Sequence, residues 1–287
     1  MHSSLQRLLL FCLVLSASVM AEAGSMRVMT FNIRNSEAQD GQNEWAVRRN
    51  WVAQFIYNIE PDVVGMQEVL PDQMAYLRDS LSSEYEGYGV ARDDGDSIGE
   101  ACPIFYRTDR FTRLTQGNFW LSDTPGVPSR SWGAACNRVC TWVMLQDKRS
   151  QRVFIVANTH LDHVSEQART RGIILIKQRL ATIANNCPII LAGDFNAAAG
   201  GDTYQAALGR VFTMQDCYPK AEKTGGQHST YQEYGNVPDS EGERIDFIFT
   251  TEGINVKRAY IYNSMIDVGQ YLSDHNAVFV DLSDKHL

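Results

Sequence analysis

The sequence predicts an α/β fold in which helices cover layered, mixed β-sheets. Segments with helical periodicity alternate along the chain with short apolar runs that are typical of buried strands. Two of these runs, 102–107 and 138–145, follow each other without a helix between them, so we expect them to pair and the sheets to be mixed rather than purely parallel. The apolar runs also end repeatedly in acids, amides or imidazoles, which indicates one polar edge.

The helices are predicted from apolar residues that recur three and four positions apart. In residues 44–59 this spacing begins at Val52, and Pro61 ends the segment. Residues 165–184 carry a similar stripe from Ile173 to Ile183. Shorter helices are predicted at 73–81 and 203–208. Strands are predicted at 27–31, 63–66, 88–91, 102–107, 138–146, 152–158, 188–192, 244–249 and 277–280, and a polar surface loop at 220–243.

The chain of 287 residues is long enough for one large α/β domain, which we expect over residues 24–287. Residues 1–23 are predicted to be a signal peptide. Arg7 precedes an apolar stretch, 8–19, that is too short to span a bilayer, and Ala21-Glu22-Ala23 fits a cleavage site, with cutting after Ala21 as a second option. The mature protein is expected to be secreted or periplasmic, without a membrane anchor.

The net charge is −8 at pH 7, and loss of residues 1–23 leaves it unchanged. Proteins that bind nucleic acid without sequence preference usually present a basic face. The acidic balance therefore disfavours nucleic acid as a partner, although a local basic groove is compatible with it.

Five cysteines follow the predicted signal peptide: Cys102, Cys136, Cys140, Cys187 and Cys217. Disulfides are favoured in an exported protein, but an odd number leaves at least one thiol free or paired between chains. The candidate pairs are Cys136 with Cys140 and Cys187 with Cys217. A zinc cluster is the weaker alternative, since no histidine lies near the C-x-x-x-C spacing.

Polar residues recur where the apolar runs end. Asp194 and Asn196 follow the strand predicted at 188–192, and their spacing of two places both side chains on one side. The same change occurs at Asn32, Gln67-Glu68, Asn158-Thr159-His160, Asp246 and Asp274-His275. Any one of these is compatible with a turn or a cap. Together, at one edge of layered sheets, they indicate a functional site.

These residues form motifs that resemble the endonuclease/exonuclease/phosphatase superfamily, which has the deoxyribonuclease I-like fold. The motifs are T-F-N at 30–32, Q-E at 67–68, N-T-H at 158–160, G-D-F-N at 193–196, R-I-D-F-I-F at 244–249 and S-D-H at 273–275. The resemblance extends from Met26 to about Leu282. N-T-H-L-D-H at 158–163 and Ser131-Trp132 resemble a bacterial branch related to carbon-catabolite-repressor-type deadenylases and secreted sphingomyelinases.

The resemblance implies a four-layer sandwich of two mixed β-sheets with outer helices. It also implies one site, across the strand ends, that hydrolyses a phosphoester with the help of a divalent cation. We expect Mg²⁺, with Mn²⁺ possible, because a hard cation takes oxygen ligands and keeps several waters. We expect no covalent intermediate, since no cysteine or serine nucleophile motif is present.

The resemblance also assigns roles around the cation. Glu68 is the expected principal metal ligand, with Asn32 supporting it and Asp274 as the second carboxylate; the alternative is that Glu68 caps the helix after Pro71. Asp194 is expected to orient or deprotonate the attacking water.

Asn196 is expected to hold phosphate or transition-state oxygens. Asp246 would pair with His275, fixing its tautomer and stabilising the imidazolium. His160 would donate to the phosphate or protonate the leaving oxygen from the opposite side.

Five further residues are predicted to bind substrate. Asp162 and His163 follow His160 directly; the alternative for Asp162 is a cap for the helix that begins near Ser165. Arg34, Arg138 and Arg169 are candidate phosphate partners because a guanidinium binds phosphate through two hydrogen bonds. The alternative for each arginine is a solvated surface position.

The leading prediction is an exported, monomeric phosphoesterase that acts on a small, sugar-linked or lipid-linked phosphate as a monoesterase or a diesterase. The alternative enzyme is a secreted nuclease, which needs a basic groove lined by aromatic residues. Trp120 and Trp132 flank a polar loop and would line such a rim or lie in the core. A binding module that retained the fold and lost the chemistry is disfavoured, because every catalytic motif residue is present.

Overall fold

The computed structural model describes residues 25–283, so the predicted signal peptide lies outside the described residues. The main strands in that range are β1 (Met26–Asn32), β2 (Val63–Gln67), β3 (Tyr85–Tyr88), β4 (Ile104–Arg107), β5 (Phe111–Trp120), β6 (Val139–Asp147), β7 (Val153–His160), β8 (Ile189–Asp194), β9 (Met214–Asp216), β10 (Lys223–Gly226), β11 (Asp246–Thr251), β12 (Asn255–Tyr262), β13 (Met265–Asp267), β14 (Gln270–Tyr271) and β15 (Ala277–Ser283). The α-helices are α1 (Trp45–Ile59), α2 (Pro71–Ser80), α3 (Glu166–Ala184), α4 (Asp202–Gly209) and α5 (Cys217–Lys220).

Two large mixed sheets account for most of the strands. The first has the order β10-β12-β15-β1-β2-β4-β3, and the second has the order β5-β6-β7-β8-β11-β9. β1 runs parallel to β2, and β7 runs parallel to β8. β15 is antiparallel to β1, and β11 is antiparallel to β8.

Hydrophobic clusters on both faces of each sheet define the layers. Val28 and Ile190 belong to a cluster to which strands of both sheets contribute. Phe55 of α1 packs in a second cluster against the first sheet, and Ile176 of α3 packs in a third cluster against the second sheet. Because both sheets are covered on both faces, their central strands are buried throughout. The predicted four-layer α/β sandwich is confirmed.

The helices begin and end where local chemistry favours it. α1 stops before Glu60, whose left-handed φ of 51° and following proline, Pro61, prevent continuation. At the start of α3, the Ser165 hydroxyl accepts the N–H of Ala168 at 3.1 Å. Both long helices therefore lie within one residue of their predicted bounds. No helix in residues 25–283 is both long and apolar enough to cross a membrane.

The predicted pairing of 102–107 with 138–145 is wrong. β4 pairs with β2 and β3 in the first sheet, whereas β6 pairs with β5 and β7 in the second. The strand that takes the expected position beside β6 is β5, which was not predicted. β5 is an edge strand whose middle residues are exposed or half-buried, so its sequence has no apolar run to reveal it.

Two smaller differences concern the strands near loops. The strand predicted at 88–91 is found at Tyr85–Tyr88. The predicted loop 220–243 contains β10, which joins the first sheet by pairing with β12. β10 consists largely of exposed residues, so its membership of the sheet rests on backbone hydrogen bonds that composition does not report.

Neither predicted disulfide is present, since all five cysteines in the described range are free thiols. Cys140 packs in the core behind the second sheet, whereas Cys136 faces a cavity. Cys217 belongs to the cluster shared by both sheets, but Cys187 packs against the opposite face of the second sheet. The members of each proposed pair therefore point into different layers.

Candidate active site

Strand order and direction bring the predicted polar residues to one edge of the sandwich. Asn32 ends β1 beside Gln67 at the end of β2, and His160 ends β7 beside Asp194 at the end of β8. Parallel strands end at the same edge of a sheet. β11 runs in the opposite direction, so its first residue, Asp246, lies opposite Asp194.

The two sheets are joined at this edge by the side-chain amide of Asn32. Its Nδ2 donates to Glu68 Oε1 at 3.0 Å and to Asp194 Oδ2 at 3.0 Å. Glu68 follows β2 of the first sheet and Asp194 ends β8 of the second, so one buried amide holds a carboxylate from each sheet. The arrangement brings together residues that are 162 positions apart in the chain.

Glu68 is held as an anion. Its Oε2 accepts hydrogen bonds from the backbone N–H and the Nδ2 of Asn35, at 3.1 and 3.0 Å. Burial by itself would raise the pKa of Glu68, but the hydrogen bonds from Asn32 and Asn35 and the charge of His275 outweigh burial and lower it. Glu68 has a left-handed φ of 63°, a conformation that these contacts help to maintain.

Asp274 is the second acid on this side of the site. The Ser273 hydroxyl lies 3.1 Å from its Oδ1, and Arg34 Nη1 lies 3.6 Å from its Oδ2. Burial and the nearby charge of Glu68 raise the pKa of Asp274 above its usual value. Two carboxylates that oppose each other's ionisation in this way favour a bound cation.

Asp194, Asp246 and His275 form a connected group. His275 Nδ1 lies 2.9 Å from Asp246 Oδ2, and its Nε2 lies 3.7 Å from Asp194 Oδ2. Burial acts to lower the pKa of His275, but the charges of the surrounding aspartates hold it well above its usual value. Burial and the charge of Asp246 raise the pKa of Asp194 to about 7. The surrounding aspartates therefore favour the imidazolium form of His275.

His160 approaches Asp194 from the other side. Its Nε2 lies 3.4 Å from Asp194 Oδ2 and 2.9 Å from Asn196 Nδ2. Asn196 Nδ2 also donates to the Leu161 carbonyl at 3.0 Å, which fixes the orientation of the amide. His160 Nε2 faces an amide N–H and accepts from it when the proton is on Nδ1, so the predicted donation to phosphate requires the proton on Nε2. Burial, followed by the charge of Arg138, lowers the pKa of His160 well below its usual value.

The donor set fits a hard divalent cation. Glu68, Asp194, Asp246 and Asp274 bring four carboxyl groups to one edge, and Asp246 Oδ1 is buried without a hydrogen-bond partner. Ligand atoms of Asp194, Asp246 and His275 lie within 4.8 Å of one another. Carboxylate oxygens make up most of this donor set, which suits Mg²⁺ or Mn²⁺. Glu68 and Asp274 are the side chains best placed to hold it, beside Asp194.

Asp162 is placed as its alternative interpretation expected, in a turn before a helix. Its Oδ1 accepts the N–H groups of Val164 and Ser165 at 3.0 and 2.8 Å, and its Oδ2 accepts the N–H of Ala135 at 2.9 Å. These hydrogen bonds lower the pKa of Asp162 although burial acts to raise it. Asp162 is not among the residues that line the cavity, and its predicted contact with substrate stays a prediction.

The other residues predicted to bind substrate do line the cavity. Arg34 forms an ion pair with Asp40 at 3.1 Å and contacts Asp274, as described above. Arg138 Nη2 lies 2.9 Å from Nδ1 of the exposed His163. Arg169 donates from Nη1 to the Asp162 carbonyl at 2.9 Å. Their roles toward substrate remain predictions.

A cavity of about 970 Å³ opens over this edge. It contains residues that the motifs did not indicate, including Asn35, Arg92, Glu100 and Tyr231. The Tyr231 ring packs edge-on against His275, with centroids 5.2 Å apart. Asn35 lies three positions after Asn32, and this closeness to a motif residue is the one feature of the sequence that could have indicated it. Tyr231 lies in the predicted loop, where nothing in the sequence marks it.

Two sheets contribute buried acids to one cavity at a shared edge. This architecture defines a class of phosphoester hydrolases. A sequence profile described as Endonuclease/Exonuclease/phosphatase family matches residues 29–275. The chain belongs to this family. It is accordingly an enzyme of the phosphoric ester hydrolase class.

Solved structures support this assignment over nearly the whole described chain. The endonuclease/exonuclease/phosphatase from Bacteroides vulgatus has a TM-score of 0.87 at 39% identity, covering 91% of this chain and 99% of that one. The mannosyl-6-phosphatase from Bacteroides thetaiotaomicron has a TM-score of 0.83 at 32% identity, covering 90% of this chain and 99% of that one.

Curated relatives are more distant. Nocturnin from Drosophila melanogaster is 29% identical over 184 residues, which cover 58% of this chain and 26% of that protein. Nocturnin from Homo sapiens is 23% identical over 292 residues, covering 90% of this chain and 65% of that protein. The chain spans about a third or less of the length of the first curated relatives that it matches.

Proposed function

We propose that this protein hydrolyses phosphomonoesters of sugars, with Mg²⁺ or Mn²⁺ as cofactor. The proposal rests on the bridge in which Asn32 holds Glu68 and Asp194 together, beside the pair formed by His275 and Asp246. This arrangement supplies an anionic oxygen cluster, a base and a cationic donor at one place. In-line attack of water on phosphorus needs these three elements.

Each side chain has a distinct task in the proposed reaction. Asp194 takes a proton from the attacking water, and its pKa of about 7 suits a base at neutral pH. His275, kept protonated by Asp246, donates from Nε2 to a phosphoryl oxygen. Asn196 positions the phosphate. Charge on the phosphoryl oxygens is neutralised when a divalent cation is bound beside Glu68.

The lining of the cavity supports a small, hydroxyl-rich substrate. Acids lie along it at Glu166, Asp202, Glu241 and Glu243, with arginines at Arg92, Arg138 and Arg169. Carboxylates accept hydrogen bonds from hydroxyl groups and guanidiniums donate to them, so such a lining suits a sugar. The likeness to a mannosyl-6-phosphatase agrees with this choice. The same acids would repel the polyanionic backbone of a nucleic acid, which counts against the nuclease alternative.

A substrate panel with a matched variant tests the proposal. We expect wild-type protein with Mg²⁺ or Mn²⁺ to release phosphate from hexose phosphates, and EDTA to abolish turnover. Asp194→Ala should lower kcat by about 10³-fold, because a positioned base contributes on that order. Asp109→Ala is the matched control. It removes an exposed ion pair with Arg107 and should leave kcat unchanged.

Two results would count against the proposal. Efficient cleavage of plain DNA, lost steeply with added salt, would favour the nuclease. Failure on every phosphomonoester and phosphodiester, with either metal, would favour a binding module that has lost the chemistry.

We also propose export through removal of residues 1–23. This part of the proposal is supported by the sequence alone. Mass spectrometry of protein recovered from the periplasm or medium of an expressing bacterium should give a chain that begins at Gly24, or at Glu22 for the second cleavage option. An intact chain retained in the cytoplasm would refute it.

A further inference from the structure

We propose that Arg138 is the centre of a second anion site, on the cavity wall beyond His160. This site would hold a second negatively charged group, a carboxylate or a phosphate, on a substrate whose reacting phosphate lies at Asp194 and His275. The statement about substrate rests on the phosphoesterase function proposed above. The anion site itself does not depend on that proposed function.

The guanidinium of Arg138 is buried and incompletely paired. Arg138 is 4% exposed and lines the cavity, yet its Nε and Nη1 have no hydrogen-bond partner. Its Nη2 contacts His163, and its Nε lies 3.6 Å from Asp162 Oδ2, beyond hydrogen-bond distance. A buried guanidinium with unpaired N–H groups is costly unless an acceptor meets it. An anion that enters the cavity would supply that acceptor.

Two further arginines extend this cationic wall. Arg92 and Arg169 line the same cavity, and each has a buried Nε without a hydrogen-bond partner. Arg169 donates to the Asp162 carbonyl, which places it on one side of Arg138. Burial raises the pKa of the Cys136 thiol, and the charges of Arg138 and Arg92 oppose that rise, so both guanidiniums lie near this thiol. Arginine suits an oxyanion because its fork matches two oxygens at once.

Neighbouring acids do not supply the missing hydrogen-bond acceptors of Arg138. Asp162 already accepts three backbone N–H groups, and Glu100 is paired with Arg92. Neither acid accepts a hydrogen bond from Nε or Nη1 of Arg138. The wall contrasts with the acid-rich edge at Asp194.

The backbone of Arg138 lies two strands away from Asp194, where the reacting phosphate is proposed to bind. Arg138 immediately precedes β6, which pairs with β7, which in turn pairs with β8 and Asp194. Adjacent strands lie about 4.8 Å apart, so the backbones of Arg138 and Asp194 are roughly 10 Å apart across the sheet. His160, at the end of β7, lies between them. A molecule that reaches both places needs two anionic groups with a spacer, such as a phosphorylated sugar acid or a sugar bisphosphate.

Sulfate binding to the metal-free protein tests the site without any reaction. Calorimetric sulfate binding at low ionic strength, compared between wild type and variants of Arg138, reports what the arginine wall contributes. We expect Arg138→Gln to weaken sulfate binding by about tenfold or more, since hydrogen bonds between charged groups contribute about 1.5–3 kcal/mol. Arg138→Lys should bind with intermediate affinity.

The matched control is Arg113→Gln. Arg113 lies at the far end of the second sheet, where it pairs with Glu86, so its removal should leave sulfate binding unchanged. Thermal unfolding of every variant confirms that the folded protein is being measured. Wild-type protein that binds no sulfate, or Arg138→Gln that binds it as wild type does, would overturn the site.

Kinetics identify the group that occupies it. Wild-type KM should be about tenfold lower for a hexose 1,6-bisphosphate or 6-phosphogluconate than for a hexose 6-phosphate. Arg138→Gln should remove this difference through KM, with kcat retained, and the substrate with the lower wild-type KM distinguishes phosphate from carboxylate. Equal KM values for singly and doubly charged substrates, or an equal loss of kcat on all three, would contradict the assignment. If wild-type protein hydrolyses none of them, the proposed function fails, while the sulfate titration still decides the anion site.

Discussion

The proton on His275 depends chiefly on one carboxylate. Burial acts to lower the pKa of His275, and Asp246, at 2.9 Å, is the principal group that raises it. We expect Asp246→Asn to lower the pKa of His275, because an amide replaces the charge. NMR titration of the imidazole in metal-free protein measures this change. An unaltered pKa of His275 in the variant would show that Asp246 does not hold the proton, and Asp109→Asn serves as the distant control.

The raised pKa of Asp194 makes the stability of the metal-free protein depend on pH. The folded protein retains a proton up to about pH 7 that the unfolded chain releases near pH 4. The stabilisation is complete below about pH 4 and is lost as the pH rises to about 7. His275 acts in the same direction at higher pH, because its pKa is raised too.

We therefore expect the Tm of metal-free protein at pH 5.5, minus its Tm at pH 7.5, to be smaller in Asp194→Asn than in wild type. His160, whose pKa is lowered, acts in the opposite direction in both proteins. Added Mg²⁺ should raise Tm more at pH 7.5 than at pH 5.5, since the cation and the proton compete for the same carboxylates. Differential scanning calorimetry in EDTA and in Mg²⁺ measures both effects. If the Tm difference between pH 5.5 and pH 7.5 is the same in Asp194→Asn as in wild type, the group that binds the proton is not Asp194.

At the scale of residues, sequence reasoning succeeds where strand ends carry the chemistry. Asn32, Glu68, Asp194 and His275 meet because the direction of each strand sends its polar end to one edge. It fails where a loop supplies the partner. Tyr231 reaches His275 only through long-range folding of residues 220–243, which no periodic pattern records.

Asp162 shows how the start of α3 is stabilised. Its carboxylate accepts three backbone N–H groups, two before the helix and one in the loop at Ala135. Asp162→Ala should lower the free energy of unfolding by about 2–3 kcal/mol, because those donors lose their acceptor. Ser165→Ala, which removes one capping bond, should cost about 1 kcal/mol. Denaturant unfolding measures both. A rise in KM for hexose 6-phosphate with unchanged stability would support the substrate-binding role predicted for Asp162.

At the scale of elements, burial on one face decides what the sequence can predict. α1 and α3 carry apolar stripes and lie within one residue of their predicted bounds. β5 and β10 are edge strands with exposed side chains, and their pairing is set by backbone hydrogen bonds to a neighbour. Pairing of 102–107 with 138–145 was inferred from adjacency in sequence, and the intervening edge strand removes that adjacency.

The whole molecule depends on polar contacts between the sheets as well as on apolar packing. Gln67 Nε2 donates to Asn158 Oδ1 at 2.7 Å, and Asn158 Nδ2 donates to the Met66 carbonyl at 2.7 Å. A Cβ at Gly65 would lie 2.7 Å from Asn158 Cγ, closer than packing permits. The absence of a side chain at Gly65 therefore allows this contact.

We expect Gly65→Ala to lower the free energy of unfolding by about 2–3 kcal/mol, as overpacking in a core does. It should also lower kcat, since β2 and β7 lead into Glu68 and His160. Gly126→Ala, where nothing lies within 4 Å of the added Cβ, should change neither quantity. Denaturant unfolding and hexose phosphate turnover measure the two effects. Normal activity in a destabilised Gly65→Ala protein would show that the geometry of the site does not depend on the spacing of the sheets at Gly65.

The amide of Asn32 lies between one acid from each sheet, so the gap between those acids is a property of the sandwich as a whole. The volume of the side chains packed between the two sheets sets the distance between the sheets, and with it the gap between the two acids. Enlarging a small interior residue such as Ala192, which packs in the cluster shared by both sheets, would move Glu68 and Asp194 slightly apart. The spacing of the acids therefore depends on interior residues as well as on the acids themselves.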